Sequence, residues 1–154
     1  MVRRGLGIVG ASAVLLAGCG QADTATDRQA IVDALQAFPE NFNARDIDAV
    51  CALFAEDVVM HYPGSAPVHG RDSYCAGLRE RMSDPTRSYH YDPSQIHEVL
   101  VDGDLATVAL TWVLTVRDAA GELDTIEEDG LDVFRRQPDG TWRIHLSHAF
   151  TVGE

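Results

Sequence analysis

The periodicity of the apolar residues changes once along the 154-residue chain, near Ser88, and this change constrains the fold more than any motif does. Before it, apolar side chains recur at helical spacing: Ile31, Leu35, Phe38 and Phe42 follow at intervals of four, three and four. Thr26 and Gln29 stand at capping-box spacing at the start of that pattern. Pro39 falls inside it and withdraws one backbone donor, which predicts a kink or break near Phe38. Asp46 is placed to cap a second, shorter helix whose inward face is Ile47, Val50, Cys51 and Phe54, ending before the strand "VVMHY". A third helix over about Arg71 to Met82, with Tyr74, Leu78 and Met82 four apart, is stopped by Asp84-Pro85. After Ser88 the chain reads as strands, "SYHY", "IHEVLV", "LATVALTWVLTVR", "EEDGLDVFRR" and "TWRIHLSHAF". Turn residues join them at Asp102-Gly103-Asp104, Ala120-Gly121 and Pro138-Asp139-Gly140. Helices followed by a meander predict an α+β domain, three N-terminal helices packed on one face of a curved antiparallel sheet.

The first residues, "MVRRGLGIVGASAVLLAGCGQ", carry two arginines and then an uncharged run too short for an ordinary membrane helix. Residues 1–18 are expected to be an export signal, with Leu16, Ala17, Gly18 and Cys19 similar to the bacterial lipobox. Cys19 would then carry the lipid, residues 19–25 would form a polar tether, and residues 26–154 the folded domain. Gly20 after that cysteine fits outer-membrane retention, which places the domain in the cell envelope facing the periplasm. An incidental cysteine after an ordinary cleaved signal is the alternative.

Composition removes several classes of function. The formal charge is −12, with 24 acidic against 12 basic residues, which disfavours nucleic-acid binding by phosphate neutralisation. All basic residues are arginine, so no lysine is present for Schiff-base chemistry. His145 and His148 lie three apart in a strand, on opposite faces, and the other histidines are scattered; no metal or cofactor site is expected. Cys51 and Cys75 face into one helical layer and are expected to pair, closing a 24-residue loop worth roughly 3 kcal/mol, unless each stays a buried thiol.

The element order and three phrases, "FNARDIDAVCALFAEDVVMHYPGSAPVHGRD", "VDGDLATVALTW" and "GLDVFRRQPDGTWRIHLSHAF", resemble the nuclear transport factor 2 superfamily in its SnoaL-like and ketosteroid-isomerase-like branches. The resemblance covers nearly all of the chain after the signal. It implies a cone with a pocket between the helices and the inner sheet face, and homodimerisation through the sheet. Ketosteroid isomerases use a carboxylate base at the end of the first strand, a first-helix tyrosine and a protonated acid on a later strand. Those positions fall on Tyr62, Phe38 and Asp132, so two of the three groups are replaced.

Strand alternation brings Glu128 and Phe134 to the face of Asp132. If Gln137 pairs with Thr141, Leu146, His148 and Phe150 join them. Asp132 and His148 would then form an acid/base pair in an apolar cavity, with Tyr62 orienting a ligand and Phe38 in the wall. Tyr89, His90, Tyr91, Trp112 and Trp142 are assigned to packing. The expected function is binding of a small, largely apolar molecule, with isomerase, dehydratase or cyclase-type acid/base activity on it. The alternative is a non-catalytic ligand-binding or interaction module of the envelope.

Overall fold

The computed structural model describes residues 24–152. Three helices, α1 (Thr24–Asn43), α2 (Ile47–Ala52) and α3 (Arg71–Ser83), are interleaved with and followed by seven strands. These are β1 (Phe54–His61), β2 (Val68–His69), β3 (Ser88–Tyr91), β4 (Gln95–Asp102), β5 (Leu105–Arg117), β6 (Leu123–Arg136) and β7 (Trp142–Thr151). The calls on residues 1–23, including the lipidated Cys19, lie outside the described residues, although α1 already holds Thr24 and Ala25 of the expected tether. No helix among the described residues is long and apolar enough to cross a membrane.

Ile31, Leu35, Phe38 and Phe42 form the buried stripe of α1, as their spacing requires. The helix nevertheless runs unbroken through Pro39. Proline leaves the carbonyl of Leu35 without its helical donor, and the Ser94 hydroxyl donates to that carbonyl at 3.3 Å. A loop residue 59 positions away thus answers the local demand that predicted a break. Thr26 and Gln29 fall inside the helix, where the Gln29 amide donates to Asp33 at 2.8 Å. Asp46 caps α2 as expected, accepting from the Ala49 amide at 3.0 Å, while Phe54 starts β1 instead of ending the helix. Gly70, at φ +83° before α3, donates its N–H to Val58 and turns the chain into the helix.

The strands form one sheet in the order β2-β1-β7-β6-β5-β3, with β4 also on β5. β3 pairs with the Leu114–Arg117 end of β5 and β4 with its Leu105–Thr111 end. The expected sheet was wholly antiparallel, but β1 and β7 pair in parallel. Their connection passes through α3 and five further strands, long enough to permit either direction. The inner face contributes Val108, Leu110, Phe134 and Ile144 to a core completed by Ile31, Leu35 and Val58.

One cross-link holds α1 to this frame and a second joins α2 to α3. Asp27, 7% exposed, receives both terminal nitrogens of Arg136 at 2.7 and 2.5 Å and the Trp142 indole at 3.2 Å. The Arg136 guanidinium also lies 4.4 Å over the Trp142 ring, so α1 is tied to β6 and β7 by charge and stacking together. Cys51 on α2 and Cys75 on α3 form the expected disulfide, with Cα atoms 6.1 Å apart.

Candidate functional site

The site is set by one inserted residue. β6 and β7 pair regularly from Arg136 with Trp142 to Phe134 with Ile144, and then Val133 pairs with Leu146. His145 is the extra residue, a β-bulge that changes which face each later side chain of β7 occupies. Its Nδ1 lies 3.3 Å from Asp57, which also accepts two bonds from Arg135 at 2.7 and 2.9 Å. Asp57 sits where β1 itself loses register against β7, between Phe54 and Val59, so it clips the irregular stretches of two strands together.

Beyond the bulge Asp132 faces Ser147, and Gly130 faces Ala149. The expected cavity positions of Leu146, His148 and Phe150 are therefore corrected: all three share the outer sheet face. His148 pairs with Leu131 and stacks between His61, 5.0 Å away, and Phe150, 4.6 Å away. It makes no pair with Asp132. The turn register behind the expectation is right, since the Gln137 amide donates to Thr141 at 2.7 Å. The error enters at His145.

The inner face and the helices enclose a chamber of about 40 Å³. Phe38, Tyr62, Glu128 and Asp132 line it as expected, while Phe134 is packed beneath in the core, fully buried. Tyr74, Tyr91, Trp112 and Ser147 also line it, and the sequence reading assigns none of them a functional place. Tyr74 stands in the inward stripe of α3, and a buried phenol there needs a partner for its hydroxyl; that signal was present. Phe38 is the hub of the wall, with ring centroids 5.0 Å from Trp112, 5.5 Å from Tyr91 and 5.9 Å from Phe42. Gly130 lines the chamber, and a Cβ there would stand 3.0 Å from Leu110 Cδ2.

Asp132 is 2% exposed, and its Oδ1 is buried with no hydrogen-bond partner among the described residues. Burial raises its carboxyl from the ordinary 3.8 to about 6, with hydrogen bonding from Ser147 opposing the rise. Burial likewise lifts Tyr62 well above 10, Tyr74 to about 12 and Tyr91 upward, so the three phenols remain neutral donors through the neutral range. Glu128 is raised by burial and pulled back by Arg81. Glu56 and Asp57, within β1, are held on the surface by Arg71 at 3.6 Å and Arg135 at 2.7 Å. No group of three or more His, Cys, Asp or Glu among the described residues could hold a metal ion.

This arrangement, a curled mixed sheet and N-terminal helices around one buried carboxyl and three phenols, defines an α+β cone with an internal pocket. The chain belongs to the SnoaL-like domain family, which matches residues 35–145. A ketosteroid isomerase-like protein from Erwinia carotovora atroseptica shares the fold at 23% identity and a TM-score of 0.69, over 82% of this chain and 96% of that one. An NTF2-like protein with a cystatin-like fold from Novosphingobium aromaticivorans does so at 24% identity and 0.67, over 84% of each. A candidate dehydratase of the NTF2-like family from Streptomyces avermitilis is 25% identical with a TM-score of 0.67, over 85% and 99%. No curated protein matches the chain in sequence.

Proposed function

We propose that the chain binds a small, largely apolar carbonyl compound in the chamber and transfers a proton on it. Asp132 accepts the proton from the carbon beside the carbonyl, and the Tyr62 and Tyr74 hydroxyls donate to the oxygen where negative charge develops. The observation that carries this reading is the buried, unpartnered Oδ1 of Asp132 in the chamber wall. A carboxyl near 6 is mostly ionised at pH 7 yet still basic enough to take a proton. The assignment changes the role expected at this position, because ketosteroid isomerases keep the acid there protonated. Isomerisation and dehydration share this first step, and the Streptomyces relative is a candidate dehydratase. The export signal and Cys19 anchor would hold the domain at the periplasmic face of the outer membrane.

The test is deuterium incorporation. With 2-octanone in D2O, wild type is expected to exchange the α-protons faster than buffer and Asp132→Asn to fall to the buffer rate. Exchange no faster than buffer in wild type would remove the catalytic reading.

A second reading, an interaction module or homodimer using the outer sheet face, is favoured by Leu131 and Phe150, which remain 47% and 49% exposed there beside the His61–His148 stack. Leu131→Glu would abolish such an association in sedimentation velocity.

A further inference from the structure

Resting on the pocket reading above, we propose that the ligand is a linear molecule, a carbonyl head on an unbranched alkyl stem, and not a compact fused ring. Three cavities share their walls in series. The chamber beside Asp132 holds about 40 Å³, room for about three water-sized groups. Tyr62, Tyr74, Tyr91 and Glu128 belong both to this chamber and to a vestibule of about 330 Å³, so the two cavities share that wall. The vestibule in turn shares Arg81, Tyr89, Leu114 and Ile126 with an open groove of about 550 Å³.

A head of a few heavy atoms fits the inner chamber; a ring system does not. A ligand that enters from the vestibule side passes along Tyr62, Tyr74, Tyr91 and Glu128, and its stem lies over Leu114 and Ile126, which are cross-strand partners on β5 and β6. Beyond them the groove floor is apolar, with Val116 and Leu123, the latter 55% exposed. Its rim mixes Arg81 and Arg87 with Asp118, Glu122 and Asp124, so the far end of the ligand is under no selection for one sign of charge. Neutral probes are therefore suitable.

The experiment measures the affinity of methyl ketones from 2-pentanone to 2-undecanone, and of 1-tetralone, which has the ten carbons of 2-decanone in a fused bicycle. Affinity is expected to rise roughly three- to fourfold per methylene until the groove is filled, and 2-decanone to bind at least about tenfold tighter than 1-tetralone. Leu114→Asn should flatten the rise for the longer ketones and leave 2-pentanone unchanged, and Ile126→Asn repeats the test from the neighbouring strand. Tyr62→Phe and Tyr74→Phe, which each remove a donor to the carbonyl oxygen, should weaken every ketone by one common factor. Affinity independent of length, or 1-tetralone binding as well as 2-decanone, overturns the linear assignment while a common loss in Tyr62→Phe and Tyr74→Phe leaves the pocket reading standing. If no ketone binds, both fall.

Discussion

Asp132 on β6 lies directly across from Ser147 on β7, and this pairing exists because His145 is inserted two residues before Ser147. Without the insertion Asp132 would oppose Leu146, and His148 and Phe150 would fill the chamber with rings. With it, the small Ser147 and Ala149 face inward, space for a ligand remains, and the hydroxyl of Ser147 moderates the buried carboxyl. The chemistry of the site and the irregularity of the sheet are one feature.

Burial of Asp132 should appear as a pH-dependent stability. Its native carboxyl titrates near 6 against 3.8 as an ordinary carboxyl, so between those values the native state binds more protons than the unfolded state. Stability from this group is complete below about pH 4 and is lost as pH rises through 6, a difference of about 3 kcal/mol. Asp132→Asn removes that slope. Urea denaturation at pH 5 and pH 8 should show the variant gaining on wild type as the pH rises.

Ser94 and Pro39 should be coupled although one is in a loop and the other in a helix. Ser94→Ala leaves the Leu35 carbonyl without its donor and is expected to cost about 1 kcal/mol. Pro39→Ala restores a helical N–H to the same carbonyl. In that background Ser94→Ala should cost close to nothing, and a double-mutant cycle by chemical denaturation measures the difference.

Most of the fold was legible because local signals agreed with the tertiary outcome. The α1 stripe, the Asp46 cap and the five strands after Ser88 were each written in a short window, and all formed. The unbroken α1 was not legible, since the Ser94 donor is brought to Leu35 only by folding. Nor was the parallel β1–β7 pair, which depends on the whole intervening chain. In the site, Asp132, Glu128, Tyr62 and Phe38 followed from alternation and resemblance, whereas the His145 bulge carries no glycine or proline to announce it. It is held by Asp57 and Arg135, 88 and 10 residues from His145 in sequence. One undetected residue moved Leu146, His148 and Phe150 out of the cavity and Ser147 in.

The Asp27–Arg136 pair should be worth more than a surface ion pair, because the carboxylate is buried and bound by two residues. Arg136 holds Asp27 below the ordinary carboxylate range. Arg136→Met keeps an unbranched apolar side chain but removes the guanidinium over Trp142 and strands the Asp27 charge, and is expected to cost about 3 kcal/mol. Asp27→Leu combined with Arg136→Met should recover most of that loss, as read from thermal or urea unfolding.

The Cys51–Cys75 bond fixes α2 against α3, which carries Tyr74 into the chamber. Reduction, or Cys51→Ala with Cys75→Ala, is expected to lower stability by about 3 kcal/mol. Calorimetry with and without reductant checks the magnitude.

Asp132, positioned by the His145 bulge and moderated by Ser147, is expected to titrate in the cavity and to respond to its ligand. Carbon-13 NMR of aspartate-labelled protein tests this most directly. A carboxyl signal absent in Asp132→Asn is expected to titrate near 6, move higher in Ser147→Ala, and shift when 2-octanone is added while the His148 ring signals stay in place. A carboxyl titrating near 3.8, or a ligand response at His148 and none at Asp132, would contradict it.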